Sequence, residues 1–167
     1  MVSAPSIDDE KIPAGTGTGE FSGTLDGLEP NTRYYVRAFA ENMVGIAYGN
    51  EVTFLTSMAP PAVTTGQISN IAAETATCGG TVTYDGGAAI KARGVCWSKE
   101  PMPDIGDPHT TEAPGSGTFS GSMTDLDPAS IYYVRAYASN ESWTVYGEQV
   151  TFRTKLTDIQ GNLYNTV

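Results

Sequence analysis

The sequence predicts an all-β chain of tandem β-sandwich modules, the first of them incomplete. Three observations carry that expectation. Residues 5–56 align without a gap on residues 103–154 at a constant offset of 98, with close to half of the pairs identical. A period near one hundred residues is too long for a solenoid unit and fits one sandwich. Apolar residues alternate with period two through most of the second copy, between Gly- and Pro-rich turns, and no long window shows a helical period.

The first module, residues 1–57, repeats the second half of the later one. Leu28-Glu29-Pro30-Asn31-Thr32-Arg33-Tyr34-Tyr35-Val36-Arg37-Ala38 returns as Leu126-Asp127-Pro128-Ala129-Ser130-Ile131-Tyr132-Tyr133-Val134-Arg135-Ala136. Tyr48-Gly49 falls on Tyr146-Gly147, and Val52-Thr53-Phe54 on Val150-Thr151-Phe152. Nothing in the first copy corresponds to residues 60–102. The apolar faces of Phe21, Leu25, Tyr34, Val36, Val52 and Phe54 then lack an opposing layer, and each large side chain left exposed forfeits about 1.5–3 kcal/mol. Such a half should not hold alone. Either the chain is a fragment of a longer array, or partner chains fill the gap, or the half folds against the complete module.

Residues 58–61, ending in Pro60-Pro61, form a short stiff linker that should hold the units end to end with limited freedom. The complete module spans residues 62–154. Ala76, Cys78, Gly80 and Val82 share one face of a strand, and Ala92, Gly94 and Cys96 one face of the next, after the turn Asp85-Gly86-Gly87. Phe119, Gly121 and Met123 make a third set, Tyr132, Val134, Ala136 and Ala138 a fourth, and Tyr146, Val150 and Phe152 a fifth. Pro101-Met102-Pro103, Pro114-Gly115-Ser116-Gly117 and Asp127-Pro128 are the turn signals. Residues 155–167 are a tail.

The pattern L-x-P-x-T/S-x-Y-x-V-x-A resembles the E–F corner and F strand of fibronectin type III modules. That resemblance implies tandem immunoglobulin-like, fibronectin III-type sandwiches. It makes Tyr34 and Tyr132 corner tyrosines whose hydroxyls reach back to the backbone. The first copy would supply strands C′, E, F and G. Cys78-Gly79-Gly80-Thr81-Val82 with Ala92-Arg93-Gly94-Val95-Cys96-Trp97-Ser98 resembles, more narrowly, repeats of surface and secreted proteins in Bacteroidetes and related bacteria. Thr157 to Val167 looks like the opening of the Fibrobacter succinogenes major paralogous domain, which often follows such repeats. Two cysteines and the absence of a strand-B Trp depart from the animal modules, and no Arg-Gly-Asp occurs, so animal ligand habits do not transfer.

In an exported module of this kind, Cys78 and Cys96 fall on strands B and C of opposing sheets. Both point inward by the alternation above, and a disulfide is expected. Closing that loop would stabilise by roughly 3 kcal/mol in the chain-entropy model. The alternative is two buried free thiols. Opposed sheets pack about 10 Å apart and a bond needs Cα atoms within about 7 Å, an approach that Gly79, Gly80 and Gly94 would permit.

The net charge of −10 and pI near 4.3 argue against nucleic-acid and anionic-membrane partners. No apolar run reaches the roughly 18 residues of a membrane span. Met1-Val2-Ser3-Ala4-Pro5 does not read as a signal peptide. Two cysteines without a neighbouring histidine leave a zinc site short of ligands. His109 has no spaced partner, and Asp85, Asp104, Asp107 and Asp125 lack the spacing of a calcium loop. No nucleophile, base and oxyanion hole assemble, so neither an enzyme nor a cofactor is expected.

What remains is aromatic. Tyr35, Phe39, Tyr133 and Tyr137 face away from the core, where cross-strand packing is the plain reading. Trp143 stands where the first copy has Gly45, at the tip of the F–G hairpin, where partner contact, intermodule packing and an idle ring all compete. Asn140-Glu141-Ser142 fits a glycosylation sequon. The expectation is a non-catalytic extracellular or cell-surface spacer of a bacterial protein, flanked by other domains. Glycan or protein binding through Trp143, Tyr133 and Tyr137 is the first alternative. Self-assembly, with the incomplete module completed by a partner strand or the tail strand completing a neighbour's sheet edge, is the second.

Overall fold

The computed structural model describes residues 4–157 together with Leu163 and Tyr164. Among the described residues there is no helix. Two compact units divide the chain, Met1–Ser57 and Met58–Val167.

The first unit contains β1 (Arg33–Glu41) and β2 (Ile46–Leu55). They pair antiparallel from Arg33↔Leu55 to Glu41↔Ile46, with an irregularity between Arg37 and Phe39. β-Branched and aromatic residues favour this ladder, and Asn42 closes it by accepting hydrogen bonds from the backbone amides of Val44 and Gly45. The four strands expected of this half are not formed; only two are, among the described residues. Phe21 and Leu25 belong to no strand and are 55% and 40% exposed. The second unit shows why. There the matching segment is held by backbone pairing to a strand from residues 76–84, and among the described residues the first unit has no such partner.

In the second unit the strands are β3 (Ala62–Thr65), β4 (Ala76–Tyr84), β5 (Ala92–Ser98), β6 (Gly117–Met123), β7 (Ile131–Ser139), β8 (Thr144–Tyr146) and β9 (Val150–Arg153). One sheet runs β3-β4-β6; the other runs β5-β7-β8, with β9 also on β7. The inner faces supply the core: Ala76, Cys78 and Val82 from β4, Val95 and Trp97 from β5, Phe119 and Met123 from β6, Tyr132, Val134 and Ala136 from β7, and Phe152 from β9. The sheets pass close at Gly80, where an added Cβ would lie 2.7 Å from the Ala136 Cβ. Two short strands, β10 (Leu156–Thr157) and β11 (Leu163–Tyr164), pair antiparallel beyond this sandwich. The tail likeness over Thr157–Val167 otherwise lies outside the described residues.

The β5 register corrects the sequence reading. Val95 and Trp97 face the core, so Ala92, Gly94 and Cys96 do not. A one-residue difference in phase reverses every side chain of a strand. Cys96 therefore sits on the opposite face of β5 from Cys78, and the expected disulfide does not form: both are free, buried thiols. Cys78 Sγ donates toward the Gly66 carbonyl, and Cys96 Sγ toward those of Pro103 and Arg135, at 3.4–3.5 Å. Burial pushes each thiol up to about 11; for Cys96 the nearby Arg135 charge opposes that rise.

Residues 103–112 hide the outer side of Cys96. This strap bonds to the β5 edge through the Thr110 amide to the Val95 carbonyl (2.8 Å) and the Glu112 amide to the Arg93 carbonyl (2.7 Å). It also lies over the sheet, for an added Cβ at Gly94 would meet the Thr110 carbonyl oxygen at 2.1 Å.

Candidate functional site

The corner tyrosines are where a polar tip meets a backbone bend. Tyr132 is buried; its hydroxyl accepts a hydrogen bond from the Asp127 amide at 3.0 Å, and its ring stacks on Phe152 with centroids 5.9 Å apart. Tyr34 repeats this with the Glu29 amide at 2.8 Å and Phe54 at 6.0 Å. Lys99 pairs with Asp127, and its hydrogen bond holds that exposed carboxyl below the usual range. Both hydroxyls are engaged with the backbone of their own turns.

At the other end of β7, Asn140 sets the hairpin tip. Its side chain is buried (6% exposed) and fully engaged. The amide nitrogen donates to the carbonyls of Ala59 and Asp85, both at 3.0 Å, while Oδ1 accepts from the amides of Ser142 (3.1 Å) and Trp143 (2.9 Å). A nitrogen so committed is not available as a sequon acceptor. Trp143 is carried on this fixed turn and is 49% exposed, beside a Lys91–Glu141 ion pair of 3.0 Å. The tip thus presents a partly exposed indole on a turn that Asn140 fixes.

Tyr133 and Tyr137 do not join Trp143 in one surface. Tyr137 is 3% exposed beneath the strap, donating its hydroxyl proton to the Thr110 carbonyl at 2.8 Å, with His109 edge-on at 6.0 Å. Tyr133 is half-buried between Ser98 of β5 and Thr151 of β9. Tyr35 remains 39% exposed on β1. Sequence reasoning missed Met43 and Val44, at the first unit's own tip, which are 103% and 95% exposed. The signal was present in the alignment: they stand opposite the polar pair Glu141-Ser142.

The polar residues considered for chemistry have structural partners instead. His109 Nδ1 lies 2.9 Å from the Asp107 carbonyl. The Asp104 amide donates to the Asp107 carboxylate at 3.0 Å, and the Gly106 amide to Asp104 Oδ1 at 2.6 Å. Asp85 accepts from the Gly87 amide, and Asp125 from the Thr124 hydroxyl. Among the described residues no three His, Cys, Asp or Glu side chains are placed to hold a metal ion. No helix among them is long and apolar enough to cross a membrane.

No protein-family model matches the chain, and no curated protein matches it by sequence. Solved structures do match. Domains d3–d4 of the rat CD45 extracellular region align over 92% of this chain and 80% of theirs, at a TM-score of 0.63 and 16% identity. The fold is that of fibronectin III-type sandwiches. Chicken CNTN1 FN1–FN3 domains align over 79% of this chain and 46% of theirs, at 0.45 and 13%. The sensor domain of the anti-sigma factor RsgI4 of Pseudobacteroides cellulosolvens aligns over 59% of this chain and 97% of its own, at 0.42 and 21%.

Proposed function

We propose that this chain is a non-catalytic spacer segment of a bacterial surface or secreted protein, built from fibronectin III-type modules in series. One observation carries the reading: the side chains that look chemical are consumed in holding the scaffold. Asn140 makes four hydrogen bonds to backbone groups, and Arg93 donates to the carbonyls of Ala113, Gly115, Ser116 and Gly117 while lying 5.2 Å from the Phe119 ring centroid. Arg135 lies 4.6 Å over Tyr146 and donates to the Gly147 carbonyl at 3.1 Å. Such a module transmits position and stiffness. The module boundaries, the export, the bacterial source and the start of a following domain in the tail belong to this proposal, on the sequence likenesses given above.

A second reading has its own observation. Trp143, held by Asn140 and half-exposed, suits contact with a glycan or protein. Glycan arrays comparing the parent with Trp143→Ala separate the two. Binding by neither supports the spacer, and binding that Trp143→Ala abolishes replaces it with an adhesin.

A further inference from the structure

We infer that the uncovered face and outer edge of the first unit form a docking site for a strand-bearing polypeptide of the chemistry of residues 60–102. Its features would be a neutral net charge, many small residues, one strand to lie along β1 and others to cross its face. The inference rests on the repeat and the fold and holds whether the module is a spacer or an adhesin.

The first unit is already shaped for that occupant. Besides its corner tyrosine, it repeats the arginine clamp: Arg37 donates to the Gly49 carbonyl at 3.2 Å and lies 4.6 Å over Tyr48, against 3.1 and 4.6 Å for Arg135. The Ile7 amide donates to the Tyr48 hydroxyl at 2.9 Å, as the Ile105 amide does to Tyr146 at 3.2 Å. What differs is cover. Phe54 is 36% exposed and Phe152 7%; Phe21 is 55% and Phe119 7%; Leu25 is 40% and its counterpart Met123 0%. In the second unit that cover comes from β3, β4 and β5, the part for which residues 1–57 hold no counterpart.

The edge tells the same story. Residues Tyr133 to Ser139 of β7 pair with Ser98 to Ala92 of β5. Their counterparts are Tyr35 to Glu41 of β1, which among the described residues pairs only with β2. An occupant must therefore supply backbone hydrogen bonds as well as apolar cover, which is strand addition.

A second copy of the chain fits less well. Two first units placed face to face would leave both β1 edges unpaired. Charge points the same way. Residues 1–57 carry eight carboxylates against three cations, so a like unit brings five further negative charges. Residues 60–102 carry Glu74, Asp85 and Glu100 against Lys91, Arg93 and Lys99, and are neutral.

The test duplicates residues 60–102 ahead of Pro5 of the otherwise full chain and follows amide hydrogen exchange. The proposal expects protection of the Tyr35–Glu41 amides to rise at least about a hundredfold, toward that of Tyr133–Ser139. In a parallel arm, the separate 60–102 polypeptide is added in excess to the parent chain, so that failure of one format to fold does not decide the matter. Unchanged exchange in both arms overturns the proposal. So does a parent chain that already protects β1 and sediments as a dimer, since the occupant is then a second copy.

Discussion

Replacing Tyr132 by Phe removes one oxygen and leaves the ring stacked on Phe152. The Asp127 amide then loses its acceptor, 3.0 Å away, at a partly buried bend. Leaving such a donor unmatched costs about 1–3 kcal/mol, and partial access of water to the bend places Tyr132→Phe in the lower half, about 1–2 kcal/mol. For a unit of this size each kcal/mol lowers Tm by about 4–8 °C. Urea unfolding followed by tryptophan fluorescence is the assay, because Trp97 and Trp143 both belong to the second unit and report on it alone. Tyr34→Phe is the matched control. It removes the equivalent hydroxyl, but the Glu29 amide it serves is exposed and water can replace it, so the tryptophan signal should not move. A Tyr132→Phe midpoint within about 0.3 kcal/mol of the parent, well inside the scatter of surface substitutions, would refute the reasoning. So would an equal shift from Tyr34→Phe.

Met123→Ala, at a fully buried position, should cost about 2–5 kcal/mol in the same assay, whereas Leu25→Ala at the 40%-exposed counterpart should leave that transition in place. A thiol reagent should find two free thiols per chain after unfolding without reductant, and almost none before. Both thiol pKa values are raised by folding, so the stabilising contribution is complete below the ordinary value of 9.0 and is lost as pH rises toward about 11. The Cys78→Ala, Cys96→Ala double variant should flatten that alkaline slope in urea midpoints. Gly94→Ala drives a methyl to 2.1 Å from the Thr110 carbonyl oxygen and 2.9 Å from the Tyr137 ring. It should cost about 1–3 kcal/mol and speed exchange of the Thr110 and Glu112 amides, which equal rates in parent and variant would contradict.

Where one face of a strand is dry and the other wet, the sequence announced it. β4 alternates buried and half-buried residues from Ala76 to Val82, and β6 alternates buried and exposed ones from Phe119 to Met123. The corner around Tyr132 was legible for a different reason, since the Leu, Pro and Tyr spacing sets a bend by itself. β5 was not legible. Gly94, Val95, Cys96 and Trp97 are all buried because the strap covers the outer face, and alternation carries no phase information when both faces are dry. The thiol pairing failed with that phase. In the first unit the apolar spacing of Phe21 and Leu25 was real, but a strand needs a ladder partner as well as a pattern. At the candidate site the indole was legible from its place opposite Gly45. The four-bond role of Asn140 was not, because Ala59 and Asp85 come from distant parts of the chain.

The strap over β5 bears on how such modules tolerate being concatenated. A bare row of amides and carbonyls recruits foreign chains, and near-identical neighbours on one polypeptide are the most concentrated source of them. Here that row is spent on residues 103–112, and Pro108, whose carbonyl accepts from Trp97, has no amide hydrogen to offer a newcomer. The chain's own strap, hydrogen-bonded along this side, already occupies the place that a foreign strand would take, so this flank is a poor seed for fibrils.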